Sequence, residues 1–141
     1  MLDSRAMRTE KDVEAYLTRM NRRWTAVEGE RTYLVHSSEA MPPIAVRVDP
    51  PLVVLRVRIS DAKMANVALL RRLLELNAGS LVHTAYGLEQ DHVVLSSALE
   101  LENLDMNELQ ATMDEIDLAL AEQVPSLAQL SKAESIPAPR A

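Results

Sequence analysis

Two neighbouring segments with alternating hydrophobicity most constrain the fold of this 141-residue chain. Residues 44–48 and 52–59 each place apolar side chains at every second position, and Asp49–Pro50–Pro51 lies between them as a turn. Arg56 and Arg58 occupy alternate positions of the second segment. A strand with one apolar and one charged face has one solvated side, which is typical of antiparallel sheets. The sequence therefore predicts an antiparallel sheet that is covered on one face.

The flanking sequence supplies three helices and four more strands. Thr9 is a plausible N-cap for helix 1, Gly29–Glu30 suits a type II′ turn, Ser60–Asp61 is a capping pair for helix 2, and Gly79 is its expected stop. The predicted elements are helix 9–21, strands 24–28 and 31–35, strands 44–48 and 52–59, helix 62–78, strands 81–88 and 92–99, and helix 105–124. The expected fold is a single α+β domain in the order α-β-β-β-β-α-β-β-α.

Helix 3 carries the clearest apolar stripe in the chain. Six apolar residues step by three or four positions from Met106 to Val124, and Asp105 with Glu108 resembles a capping box. Pro125 predicts a break after this stripe. We expect a flexible N-terminus over residues 1–8, one domain over 9–130, and a disordered tail over 131–141.

Composition excludes several classes of protein. The chain has no cysteine, so disulfide scaffolds and thiolate metal sites are ruled out. No apolar run approaches the roughly 18 residues of a membrane span, and residues 1–12 lack the apolar core of a signal peptide. We therefore expect a cytoplasmic protein with no membrane partner. Aromatic residues are 3% of the chain, too few for stacking platforms, so a nucleic-acid partner is not expected.

Charge is distributed unevenly along the chain. Thirteen of the 15 Lys and Arg residues lie in residues 1–72, whereas residues 73–131 contain none and hold 11 of the 21 Asp and Glu residues. This acidic stretch disfavours binding to phosphate backbones. It is either a solvated face or a surface for a basic segment of a partner.

No sequence motif in the chain indicates a catalytic, cofactor or metal site. Three glycines cannot build a phosphate loop, and no nucleophile motif is present. His83 and His92 lie in neighbouring predicted strands without a third ligand at metal-binding spacing. The carboxylates of helix 3 should face water, and Asn77 should satisfy backbone groups where helix 2 ends. The sequence thus predicts a protein without enzymatic activity, metal or cofactor.

Two apolar helix faces are the candidate interaction surfaces. The apolar arc of helix 2 spans roughly 180°, wider than one sheet contact needs, so we expect it to form a homodimer interface. Its candidate residues are Val67, Leu69, Leu70, Leu73 and Leu76. The stripe on helix 1 could bind a partner segment or cover the sheet, and it consists of Val13, Tyr16, Leu17 and Met20.

Residues 69–120 carry a resemblance to a known family. Leu73–Leu74–Glu75–Leu76–Asn77 ends a predicted helix, Tyr86–Gly87–Leu88 and Val93–Val94–Leu95 follow in two strands, and Leu104–Asp105 precedes an acidic helix. This pattern of helix ends and strand segments, together with the order of the elements, resembles the class I type III secretion chaperones and the related YbjN family of proposed bacterial sensory transduction regulators.

The resemblance implies a function in protein binding. It suggests a dimer that binds an extended segment of a partner polypeptide without ATP and without catalytic residues. The alternative is a YbjN-type regulatory or scaffold domain that acts through a folded protein partner.

Overall fold

The computed structural model describes residues 8–61, 66–90 and 92–135 of the chain. Within these ranges the chain forms four helices and six strands. The helices are α1 (Glu10–Arg19), α2 (Val67–Gly79), α3 (Met106–Glu122) and α4 (Val124–Ser135). The strands are β1 (Arg23–Val27), β2 (Thr32–His36), β3 (Ile44–Asp49), β4 (Leu52–Asp61), β5 (Ala85–Glu89) and β6 (His92–Glu100).

All six strands belong to one sheet, in the order β1-β2-β3-β4-β6-β5. Every neighbouring pair is antiparallel, with Val46 opposite Leu55 and Val57 opposite Leu95 in the middle of the sheet. The predicted α+β class and the antiparallel sheet are therefore confirmed. The two edges of the sheet are β1 and β5.

One hydrophobic core fills the space between the sheet and the helices. Alternate strand residues such as Ile44, Leu55 and Leu95 are fully buried in it, together with side chains of α1, α2 and α3. The opposite face of the sheet carries the exposed Arg56 and Arg58, as the alternation predicts. The helices consequently cover one face, and interaction surfaces must lie on the open face, at the edges or on the outer helix faces.

The predicted caps of α1 and α3 are confirmed. The Thr9 hydroxyl accepts from the Lys11 N–H at 3.2 Å, and the Thr9 N–H donates to the Asp12 carboxylate at 2.7 Å. At α3, the Asp105 carboxylate accepts from the Glu108 N–H at 2.7 Å. Both acidic groups lie where the helix dipole favours negative charge.

The start of α2 differs from the prediction. Ser60 and Asp61 are not a cap, because β4 continues through them and pairs with Val93 and His92 of β6. The N-cap is Asn66, whose side-chain oxygen accepts from the Leu69 N–H at 2.7 Å. Long-range strand pairing has overridden the local capping signal.

Two connections also differ from the prediction. The first hairpin closes with a four-residue loop over residues 28–31, in which Gly29 and Arg31 have positive φ values of 81° and 53°. The predicted strand 81–88 is reduced to Ala85–Glu89, and residues 80–84 form an irregular segment before it.

The C-terminal region contains a helix that was not predicted. The break expected at Pro125 is confirmed, since α3 ends at Glu122, but Pro125 lies in the first turn of α4, where its missing N–H is tolerated. Residues 131–135 are helical, which corrects the expectation of a disordered tail there. The expectations for residues 1–7 and 136–141 lie outside the described residues.

The two sides of α3 predict opposite effects of the same substitution. Ile116 is fully buried, and a carboxylate there has no partner, so Ile116→Asp should reduce the free energy of unfolding by about 4 kcal/mol or more. Leu118 is 58% exposed, so Leu118→Asp should cost less than about 1 kcal/mol. Urea unfolding of both variants measures the difference, and equal losses would contradict this packing of α3.

Candidate functional site

The apolar stripe of α1 lies mainly in the core. Val13 and Leu17 are fully buried, and Tyr16 and Met20 are partly buried against the core. The Tyr16 hydroxyl donates to the Leu104 carbonyl at 3.2 Å. Of the four residues predicted to bind a partner, Tyr16 and Met20 therefore keep some accessible surface, near the end of α1 that leads into β1.

The predicted dimer face of α2 is divided between core and solvent. Leu69, Leu73 and Leu76 are buried in the protomer, whereas Leu70 is partly buried and Val67 is 76% exposed. Leu74, which belongs to the same wide arc, is 69% exposed. An interface on this helix would be formed by its outer side around Val67, Leu70 and Leu74.

The β1 edge of the sheet has free hydrogen-bonding groups. The Val48 N–H donates to the Arg31 carbonyl at 2.9 Å, so residue 31 faces β3. Backbone groups alternate in direction along an antiparallel strand. The even-numbered residues of β2 therefore bond β1, and their partners are the odd-numbered residues of β1. The N–H and C=O groups of Trp24 and Ala26 point outward, and no described residue bonds them.

Rigid side chains support β1 from the core side. The Trp24 ring packs edge-on against Tyr33 with centroids 5.3 Å apart, and its Nε1–H donates to the Thr18 hydroxyl at 3.3 Å. The Tyr33 hydroxyl donates to the Glu14 carboxylate at 2.7 Å. Burial and this bond to a carboxylate raise the pKa of Tyr33 well above its ordinary value of 10. These contacts fix the strand while leaving its outer edge open.

Arg22 connects the start of β1 to α3. Its guanidinium contacts Asp114 at 3.1 Å and Asp117 at 2.8 Å, and its side chain is only 12% exposed. Asp117 also accepts from the Ser37 hydroxyl. The sequence predicted that the carboxylates of α3 face water. Asp114 does, with 60% of its side chain exposed, whereas Asp117 is only 33% exposed and is held by two partners about 80 to 95 residues away in the chain, which is a correction.

The β5 edge is arranged differently. The Asn77 side-chain N–H donates to the Tyr86 carbonyl at 3.0 Å, and its oxygen accepts from the Tyr86 N–H at 2.7 Å. Asn77 was predicted to satisfy backbone groups at its own helix end. It instead bonds a strand residue nine positions later, while the Tyr86 ring is buried and its hydroxyl donates to Gln123.

Glu115 of α3 binds the segment that leads into β5. Its carboxylate accepts from the N–H groups of Val82, His83 and Thr84 at 2.8 to 3.0 Å, and from the Thr84 hydroxyl at 2.6 Å. Burial raises the pKa of Glu115, but these hydrogen bonds outweigh it and hold the pKa below the ordinary value of 4.5. The carboxylate thus acts as a fixed acceptor for three consecutive peptide groups.

An acidic groove lies between this segment and α3. It has a volume of about 520 Å³, and Asp114, Glu115, Glu122 and Leu118 line its α3 side. Arg22 offsets part of this charge at Asp114, and residues 73–131 themselves contain no Lys or Arg. The groove therefore fits a basic or mixed basic and apolar segment better than an acidic one.

Neither a metal centre nor a membrane helix is found in the part of the chain that the structure describes. No group of three His, Asp or Glu side chains there could hold a metal ion. None of the helices in those ranges is long and apolar enough to cross a bilayer. His83 is exposed, and the buried Nδ1 atom of His92 has no hydrogen-bond partner there.

Sequence comparison identifies the family. The CesT_Tir_1 family model matches residues 6–133, and the chain therefore belongs to this family of type III secretion chaperones. No curated protein sequence matches the chain.

Solved structures show the same fold at low sequence identity. A chain of the ExoU–SpcU complex from the type III secretion system of Pseudomonas aeruginosa is 15% identical, with a TM-score of 0.65 over 80% of this chain and 95% of that chain. YbjN of E. coli is 10% identical, with a TM-score of 0.64 over 96% of this chain and 100% of YbjN. The Yersinia pestis secretion chaperone SycH, solved with a fragment of YscM2, is 14% identical, with a TM-score of 0.59 over 84% and 98%.

The bonds of Glu115 predict a pH-dependent contribution to stability. Because its pKa is lowered in the folded state, the carboxylate stabilises the fold above pH 4.5, and this stabilisation is lost as the pH falls through the folded-state pKa. Glu115→Gln should therefore be less stable than the wild type at pH 7, and the difference should shrink at pH 3. Urea unfolding at both pH values measures it, and a difference that grows at pH 3 would contradict the assigned bonds.

Proposed function

We propose that this chain is a non-enzymatic protein-binding domain that forms a homodimer and binds an extended segment of a partner polypeptide. Membership of the type III secretion chaperone family supports a protein partner. The ExoU–SpcU and SycH–YscM2 structures are complexes of two different proteins. The most direct observation in this chain is the outward row of unbonded backbone groups on β1.

Strand addition at β1 is the binding mode that this edge supports. An extended segment would bond the N–H and C=O groups of Trp24 and Ala26, and such main-chain bonds place few demands on partner sequence. The partly exposed Tyr16 and Met20 belong to α1, which contacts β1, and they offer apolar contacts. Binding would depend on these groups rather than on the buried Val13 and Leu17.

The acidic groove indicates the charge of the partner. Arg22, directly before β1, contacts Asp114, and Asp114 lines the groove. A segment that leaves β1 at this end would therefore meet the carboxylates of α3. Lys or Arg in that part of the segment would strengthen binding at low salt, and binding would weaken as the salt concentration rises.

The outer side of α2 is the dimer face that we propose. Val67 and Leu74 are exposed apolar residues seven positions apart, and Leu70 lies between them on the same side. Burying one such side chain is worth about 2 kcal/mol per protomer. The burial of Leu69, Leu73 and Leu76 in the protomer supports a narrower interface than the sequence predicted.

A regulatory role through a folded partner is the second candidate. The match to YbjN spans 96% of this chain and all of YbjN, which is broader than the matches to the secretion chaperone complexes described above. In this case the partner would present a folded surface, and no short segment of it would bind by itself.

Leu74→Asp should convert the dimer to a monomer. The substitution places a charge in the proposed interface, whereas Leu118→Asp changes a similarly exposed leucine on α3 and serves as the control. Light scattering after gel filtration at micromolar concentration should give twice 15.7 kDa for the wild type and for Leu118→Asp, and 15.7 kDa for Leu74→Asp. A wild-type mass of 15.7 kDa across a dilution series would rule out the homodimer.

Ala26→Pro should weaken binding of the partner segment about fivefold or more, because it removes one outward N–H group. The bonds between β1 and β2 use the neighbouring residues and should remain. Ala26→Ser retains the N–H group and is the matched control. The segment is obtained by affinity capture from the native lysate and mapping with nested fragments, and its affinity is measured by fluorescence anisotropy.

Equal affinity for Ala26→Pro and Ala26→Ser would contradict binding by strand addition at β1. Capture of a folded domain with no short binding segment would contradict the chaperone-like function and favour the regulatory one.

A further inference from the structure

The two edges of the sheet offer a partner strand different numbers of hydrogen bonds. On β1, the outward groups of Trp24 and Ala26 are unbonded within the described part of the chain. On β5, the outward N–H and C=O groups of Tyr86 are both bonded by Asn77, whereas those of Leu88 are unbonded within the described part of the chain. The N–H of Thr84, directly before β5, is bonded by Glu115 at 2.8 Å.

The Asn77 carboxamide takes the place of a neighbouring strand. It presents one carbonyl and one N–H to the same residue, as an antiparallel peptide would, at distances of 2.7 and 3.0 Å. Because α2 and α3 are packed into the core, these two side chains are held at the edge by rigid elements. An incoming strand would have to displace both side chains before it could pair along β5 beyond Leu88.

We propose that Asn77 and Glu115 close the β5 edge to strand addition at Thr84 and Tyr86 and so restrict the partner segment to β1. This inference rests on the proposed function, because it specifies which of two edges accepts the segment. The closure also protects the protein itself. Val82 and Leu88 are 84% and 55% exposed along this edge, and an unprotected edge strand with exposed apolar residues favours aggregation.

Hydrogen exchange in the unmodified protein tests the closure directly. Edge amides that face solvent exchange quickly, whereas bonded amides exchange only after local opening. The amides of Thr84 and Tyr86 should exchange at least about tenfold more slowly, after correction for intrinsic rates, than those of Trp24 and Ala26. NMR at micromolar to millimolar concentration resolves the four amides, and equal rates at the two edges would overturn the proposal.

Substitutions test whether these two side chains close the edge. The chain has no cysteine, so Leu88→Cys provides a unique attachment point for pyrene on β5. Pairing of two β5 edges brings two pyrenes together and produces excimer emission. Excimer emission should increase at least about fivefold with protein concentration in Asn77→Ala and Glu115→Ala, and should be absent in the parent protein.

Matched controls separate edge opening from general damage. Asn107→Ala and Glu122→Ala make the same chemical changes at exposed positions of α3 that have no hydrogen bond or ion pair within the described residues. They should show no excimer emission. Continued slow exchange of the buried Leu95 amide shows that a variant is folded. If Asn77→Ala loses this protection, Asn77→Asp replaces it. The aspartate keeps the acceptor for the Tyr86 N–H but loses the donor to the Tyr86 carbonyl, so this variant should give intermediate excimer emission.

Two outcomes of the excimer experiment would contradict closure of the β5 edge by Asn77 and Glu115. Excimer emission in the parent protein would show that the edge is open, and its absence in both folded variants would show that other groups close it. Neither result depends on the partner. Failure of this inference is therefore distinguishable from failure of strand addition at β1, which Ala26→Pro tests.

Discussion

The alternation of apolar residues in the central strands is the constraint on which the rest of the structure depends. Val53, Leu55 and Val57 all point to one side of β4 and are buried, while Arg56 and Arg58 between and beside them remain exposed. A sheet with one apolar face must be covered on that face alone. The helices therefore share one side of the sheet, and because β1 and β5 do not pair with each other, two edges remain.

Contacts of α3 with both ends of the sheet determine how those edges differ. Asp114 and Asp117 bond Arg22 next to β1, and Glu115 bonds residues 82–84 next to β5. At the β1 end the contacts anchor a side chain and leave the backbone edge unbonded. At the β5 end the contact is with the backbone itself. Helix α3 thus holds Arg22 beside the β1 edge, and it occupies backbone N–H groups beside the β5 edge.

Local patterns predicted the elements whose signals lie within one turn or one strand. Thr9 and Asp105 cap their helices as predicted, and the stripe of α3 is buried at Leu109, Met113 and Ile116. These features depend on neighbours a few residues away, so periodicity and capping rules suffice.

Features that depend on distant contacts were missed. Ser60 is part of β4 because it pairs with Val93, and residues 82–84 are not a strand because Glu115 takes their N–H groups. Asn77 was predicted to satisfy backbone groups where helix 2 ends, but its bond to Tyr86 depends on how α2 and β5 pack. From the sequence, the candidate site could be narrowed to two apolar helix faces. The difference between the two sheet edges could not be predicted, because it depends on the pairing register of the strands.

NMR of the ¹⁵N-labelled protein with the captured partner segment tests the central claim most directly, namely that a partner adds as a strand at β1. The account predicts that the amide resonances of Trp24 and Ala26 shift on binding, that the two amides become protected from exchange, and that the resonances of residues 85–89 remain unchanged. Shifts and protection concentrated at residues 85–89, or on the outer faces of the helices with β1 unaffected, would contradict it.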